Sequence, residues 1–153
     1  MRGAVPAGDS RAFLKAGYSV TAFDAAEPMA ELASEHIGQP VEIMRFQDVA
    51  WAERFDGIWA CASLLHVPRP ELPDVFQRLT RALKPGGVLY ISFKYGNEDR
   101  KEGRRNFTDL DEAGLAALLE QVPGLHGLEQ WVSGDRRADR AHERWLNALL
   151  GKD

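Results

Sequence analysis

The hydrophobic and polar positions change period along the chain, and the clearest sequence of elements lies between Phe55 and Phe93. Gly57–Ala60 is a short apolar run after a polar segment, which predicts a buried strand. Pro68, Pro70 and Pro73 punctuate the loop that follows. Leu72, Val75, Phe76, Leu79 and Leu83 then fall at helical spacing and mark one face of a helix. Pro85-Gly86-Gly87 ends it, because proline cannot continue a helix and glycine tolerates positive φ. Val88–Phe93 is rich in β-branched and aromatic residues and predicts a second strand. Strand, helix, glycine stop and strand form one βαβ unit, with parallel strands and a right-handed crossover.

On either side of this block the pattern is weaker but consistent. Asp9 and Ser10 are N-caps for a helix over about Arg11–Ala16, with Phe13 and Leu14 inward and Gly17 as its C-cap. Tyr18–Phe23 predicts a strand with Asp24 at its C-terminal end. A helix starts near Glu27-Pro28, buries Met29, Leu32, Ala33 and Ile37, and stops at Gly38. Val41–Phe46 predicts another strand, followed by a polar loop over Gln47–Arg54. Beyond Phe93 the run K-Y-G-N-E-D-R-K-E-G-R-R-N predicts a solvated loop. A helix over about Asp111–Gln121 buries Leu115, Leu118 and Leu119, with Asp111 and Glu112 at the positive end of its dipole. Leu128–Val132 predicts a strand. For Trp145–Leu150 the period leaves strand and short helix both open.

Composition adds limits. The 153 residues fit one domain with a single core, and 44% hydrophobic with 27% charged residues is ordinary for a globular protein. A net charge of −4 gives no overall electrostatic footprint for nucleic acid. The single cysteine, Cys61, excludes an intramolecular disulfide and fits a reducing cytoplasm. No apolar run approaches the roughly 18–20 residues of a membrane span, and no secretory signal pattern opens the chain. The four histidines are scattered, so no metal site is expected.

The block F-D-G-I-W-A-C-A-S-L-L-H followed by L-K-P-G-G resembles the fourth strand, fourth helix and fifth strand of class I methyltransferases. It is most similar to the small bacterial members related to tellurite-resistance methyltransferases, and the similarity runs from about Asp9 to the C-terminus. The resemblance implies an α/β fold: a Rossmann-like, mostly parallel sheet with an antiparallel last strand, here Trp145–Leu150 beside the fifth. It also implies S-adenosyl-L-methionine as cofactor and a small-molecule methyl acceptor. In this family a first strand ends in a glycine-rich G-x-G-x-G loop around the methionine part of the cofactor. Here the equivalent place reads G-A-V-P-A-G-D-S, with Gly8 among the few residues left of that composition. Residues 1–8 are therefore read as a remnant of the loop region in a single domain, and the first strand is expected to be missing. Its loss would leave unpaired backbone at the sheet centre. The sheet closing up, a homodimer with exchanged elements, or a fragment of a longer gene product would each account for that. The alternative to an enzyme is a truncated, non-catalytic domain that persists as an oligomeric scaffold.

Candidate chemistry follows the strand ends. Asp24 is placed to accept hydrogen bonds from both ribose hydroxyls, or else to cap the helix after it; Ala25 lies beside it. Gln47 and Asp48 follow the third strand, where the family reads the adenine amino group, with Phe46 or Val49 as apolar neighbour; an exposed loop is the other reading. Ala60 and Cys61 end the fourth strand, and small residues there leave room for a sulfonium. Cys61 has no base at a telling spacing, so a packed thiol is favoured over a nucleophile. His66 is either a base for the acceptor or a structural cap of the next helix. Lys94 and Tyr95 end the fifth strand and border the acceptor pocket. Arg104, Arg105, Arg136, Arg137 and Arg140 either meet over that pocket to bind an anion or form a solvated face.

Overall fold

The computed structural model describes residues 2–6, 19–24, 34, 41–61, 63–103, 105–134 and 143–153. Among them the strands are β1 (Arg2–Pro6), β2 (Ser19–Asp24), β3 (Glu42–Ile43), β4 (Phe55–Ala60) and β5 (Leu83–Lys94), then β6 (Asp99–Glu102), β7 (Arg105–Thr108), β8 (Leu125–Gly134) and β9 (Arg144–Lys152). The longer helices are α1 (Leu72–Ala82) and α2 (Glu112–Glu120). Seven strands form one sheet in the order β3-β2-β1-β4-β5-β9-β8, while β6 and β7 make a separate hairpin. Strands β3, β2, β1, β4 and β5 run parallel, and β9 lies antiparallel between β5 and β8. This is the mixed, mostly parallel α/β sheet that the family resemblance implied.

The core explains the order. Ile58 and Ala60 of β4, Leu89, Ile91 and Phe93 of β5, and Leu146, Ala148 and Leu150 of β9 are buried at every second position. The register pairs Leu89 with Leu150, Ile91 with Ala148 and Phe93 with Leu146, so one face is a continuous apolar surface. Leu72, Val75, Phe76 and Leu79 of α1 and Leu115 and Leu118 of α2 join the same cluster. The five residues predicted for the helix face are all buried, but Leu83 already belongs to β5, where it pairs with Phe55. Gly86, at φ 80°, lies in the turn-like irregularity between that pair and the Gly57–Val88 pair. Helix α2 starts at an acidic cap: the Asp111 carboxylate accepts from the Gly114 amide at 2.7 Å. Asp111→Ala leaves that amide unpaired and is expected to cost about 1 kcal/mol of stability, measured by urea denaturation.

Three expectations are corrected. The first strand is present: Arg2–Pro6 fills the central slot, pairing parallel with β2 along five residues and with β4 through Gly3–Gly57 and Ala4–Ile58. Residues read as a remnant of the glycine-rich loop thus supply strand backbone. Two facing strand edges offer hydrogen bonds to any extended segment, whatever its side chains, and Pro6 at the strand end removes only one donor. The pairing deficit that motivated an exchanged dimer is met within one chain. The third strand is two residues long, Glu42–Ile43, both exposed, and Phe46–Asp48 forms a 3₁₀ turn instead of continuing it. The polar run after Phe93 is also more ordered than a solvated loop, because it folds into the β6–β7 hairpin.

The helix expected over 11–16 lies outside the described residues. Of the helix expected near 27–37 only Ser34 is described; it is helical, and its hydroxyl accepts from the Val41 amide at 3.0 Å. Trp145–Leu150 resolves as the middle of β9. Among the described residues no helix is long and apolar enough to cross a membrane.

Candidate functional site

The chain reverses its direction of travel across the sheet between β1 and β4, since β2 and β3 lie on one side and β5 on the other. Beyond the carboxyl ends of parallel strands, such a reversal opens a crevice between diverging loops. The registers show which residues border it. Phe23 pairs with Pro6, and Gly3 with Gly57, so continuing the ladder brings Pro6 level with Ala60. Asp24 therefore ends β2 on the same rim of the sheet as Ala60 and Cys61, with β1 between them. Two strand spacings separate these positions, about 10 Å.

Each candidate has a definite place. Asp24 closes β2 opposite Ile43 of β3. Gly8 and Ala25 lie outside the described residues. Gln47 is half-buried in the turn after β3. Asp48 is exposed and bonded to its own turn, for Arg45 donates to its two carboxylate oxygens at 3.0 and 3.1 Å. That hydrogen bond holds the Asp48 carboxyl below its usual range and pushes the Arg45 guanidinium up. Phe46 packs edge-on against Phe23 at 5.3 Å, and Val49 is fully buried, so Val49 has no surface for a ligand ring. Ala60 is fully buried as well. Cys61 is half-buried, and the Ser92 hydroxyl donates to its sulfur at 3.7 Å, a packed-thiol environment.

His66 ends a 3₁₀ turn over Leu64–His66, and its side chain is fixed from the hairpin. Its Nδ1 lies 3.1 Å from the Asn106 carbonyl oxygen, and its ring meets Phe107 edge-on at 5.0 Å. A carbonyl only accepts, so Nδ1 carries the hydrogen and Nε2 holds the lone pair of the neutral ring. The same loop is fastened twice more. The buried Thr108 hydroxyl donates to the Val67 carbonyl at 2.7 Å, and Arg69 donates to the Asp109 carbonyl at 2.6 Å and to the Asp99 carboxylate at 2.8 Å. The hairpin thus overlies the loop leaving β4. Phe107 sits under two cations, Lys94 at 5.3 Å and Arg100 at 5.5 Å from its ring centre.

Next to this corner an open cavity of ≈ 330 Å³ is lined by Lys94, Tyr95, Glu98, Arg100, Asp109, Glu143 and Arg144. Tyr95 donates its hydroxyl to Glu112; this bond raises the Tyr95 pKa and lowers that of Glu112. A depressed carboxyl pKa means the contact stabilises the fold above the ordinary Glu value and is lost as pH falls through the lowered one. Of the arginines expected either to gather here or to form a solvated face, Arg105 is exposed in β7, and 104, 136, 137 and 140 lie outside the described residues. Arg100 and Arg144 occupy the cavity wall instead.

The family described as a methyltransferase domain matches residues 3–91, more than half of the 153 residues. The chain belongs to the methyltransferase domain family. Three solved methyltransferases share its fold. The 1,6-didemethyltoxoflavin-N1-methyltransferase of Burkholderia thailandensis, solved with 1,6-didemethyltoxoflavin and S-adenosylhomocysteine bound, superposes with a TM-score of 0.81 at 22% identity, over 99% of this chain and 70% of that one. A SAM-dependent methyltransferase of Methanosarcina mazei gives 0.81 at 16% identity, over 99% and 91%. The N-methyltransferase NodS of Bradyrhizobium japonicum gives 0.74 at 16%, over 99% and 84%. No curated protein sequence matches the chain.

One feature of the β4 rim fits a bound polar ligand. The Ser63 hydroxyl is buried and makes no hydrogen bond with any described residue. Such a group costs free energy unless a partner arrives. Ser63 stands three residues past the end of β4, on the rim that carries Ala60 and Cys61. Nothing in the sequence marks it, because serine after a strand is common in turns and only its burial sets it apart. Among the described residues no group of three His, Cys, Asp or Glu is placed to hold a metal.

Proposed function

We propose that this chain transfers a methyl group from S-adenosylmethionine to a small-molecule acceptor. The observation that carries the reading is the shared rim: Asp24 and the Cys61–Ser63 turn flank β1 at the reversal point of a class I sheet. The cofactor brings an electrophilic methyl on a sulfonium, and the protein contributes position. Asp24 receives the ribose hydroxyls, and Gly8 and Ala25 are the further cofactor-binding residues that the resemblance implies. Gln47 reads the adenine edge in preference to Asp48, whose carboxylate is bonded to Arg45. The small Ala60 and half-buried Cys61 leave space at the strand end, and Ser63 offers its hydroxyl.

Most of the rate then comes from alignment of acceptor and methyl, which needs no covalent help from the protein. Where the acceptor must lose a proton, Nε2 of His66 takes it, since Nδ1 is bound to the Asn106 carbonyl. Within the class, the 55–93 block resembles the small bacterial members related to tellurite resistance, and the single cysteine suits a cytoplasmic setting.

Titrating the purified chain with S-adenosylhomocysteine by calorimetry tests this. Binding in the micromolar range, about −8 kcal/mol, is the expected result. An absence of heat, with a dimer by light scattering, overturns it in favour of the non-catalytic scaffold.

A further inference from the structure

The cavity beyond β5 has an unusual charge balance. Three cations, Lys94, Arg100 and Arg144, face three carboxylates, Glu98, Asp109 and Glu143. Glu98 and Arg144 are exposed, but the other four charges are partly withdrawn from water: side-chain exposure is 15% for Lys94 and 26% for Glu143, which pair at 3.6 Å. Arg100 and Asp109 pair at 2.7 Å, with Asp109 only 10% exposed. The second pair is closed at hydrogen-bond distance; the first stands wider than a direct N–H···O bond. The wide pair borders the end of β5, which lies next to the Cys61 end of β4.

A ligand with one net charge would leave a wall charge uncompensated in this half-buried space, and such groups are costly. A ligand carrying both charges keeps the balance. Its carboxylate takes the place of Glu143 on Lys94, with Arg144 beside it, and its ammonium takes the place of Lys94 on Glu143, with Glu98 beside it. We propose that this cavity holds the methyl acceptor and that the acceptor is a small zwitterion of the α-amino-acid class. This rests on the methyltransferase reading, and it goes further by naming the chemistry that the pocket selects. The arrangement rejects simple anions and simple amines by the charge each would strand.

The test uses glycine, N-acetylglycine and glycine methyl ester, which carry both charges, the carboxylate alone and the amine alone. Each is titrated at millimolar concentration into the intact chain saturated with S-adenosylhomocysteine. Glycine is expected to bind, and each singly charged analogue at least about tenfold more weakly, as befits loss of one charge-assisted contact. Lys94→Met and Glu143→Gln are each expected to weaken glycine by a similar factor while leaving S-adenosylhomocysteine affinity unchanged. Equal binding of all three compounds, or of none, overturns the proposal, and this comparison on the unaltered chain does not depend on either variant folding. If S-adenosylhomocysteine itself fails to bind, the methyltransferase reading falls. Glycine selectivity on the cofactor-free chain then decides the recognition claim by itself: its presence upholds the zwitterion site, and its absence overturns that too.

Discussion

Phe76→Ala is expected to remove about 3–5 kcal/mol of folding stability, a large part of the roughly 5–15 kcal/mol of a whole domain. Phe76 lies on the inward face of α1 and is fully buried. It belongs to the buried cluster that includes Ile58 of β4, Leu89 and Ile91 of β5, and Leu115 of α2. Alanine in its place leaves a cavity between layers whose backbones are fixed by strand pairing, and such a site collapses poorly. With a urea dependence of about 1–3 kcal/mol per molar, the midpoint falls by on the order of 1–5 M. Gln77→Ala, on the exposed side of the same helix, gives up one bond to the Gln121 carbonyl and is the control for helix propensity alone. Equal losses in the two variants would mean that the helix is not seated on the sheet as described.

The same helix shows why some elements were legible in the sequence. Leu72, Val75, Phe76 and Leu79 repeat at the helical period because one side meets the sheet, and that demand is written locally. Strand β5 is legible for the same reason, since Leu89, Ile91 and Phe93 alternate into the core that α1 covers. The helix ends at Ala82, ahead of the expected Pro85-Gly86-Gly87 stop, which lies inside β5. Leu83 satisfies the helical period and the strand pairing at once, and the pairing with Phe55 decides. Strand β9 needed the family resemblance, because W-L-N-A-L-L suits either period and its antiparallel slot between β5 and β8 is a long-range fact.

The misses have the same origin. Strand β1 carries no apolar alternation of its own; it is extended because β2 and β4 present two open edges to it. The β6–β7 hairpin hides in a charged run, where Arg100, Phe107 and Thr108 gain partners only once the chain has folded back over Val67 and Arg69. The candidate site divides likewise. Its rim follows from topology, so Asp24, Ala60 and Cys61 could be placed from strand ends. The buried Ser63 hydroxyl, the Asn106 contact that sets the His66 tautomer, and the balanced charges around Lys94 depend on packing across distant segments.

Asp24→Ala is expected to weaken S-adenosylhomocysteine binding by roughly 2–4 kcal/mol, or about 30- to 700-fold. Each ribose hydroxyl donating to a carboxylate makes a charge-assisted hydrogen bond, worth about 1.5–3 kcal/mol, and one carboxylate serves two of them. Water in the variant restores part of the loss. Asp48→Ala is the comparison that gives the result meaning. Its carboxylate is exposed and bonded to Arg45, and an exposed pair of this kind contributes little to anything beyond its own turn. The two acidic residues therefore separate in a calorimetric titration: a large loss of affinity for Asp24→Ala, and little change for Asp48→Ala. The opposite order would move the ribose from β2 to the turn after β3. Equal, small effects would remove the carboxylate grip altogether, and with it the reason for placing the cofactor across the reversal point.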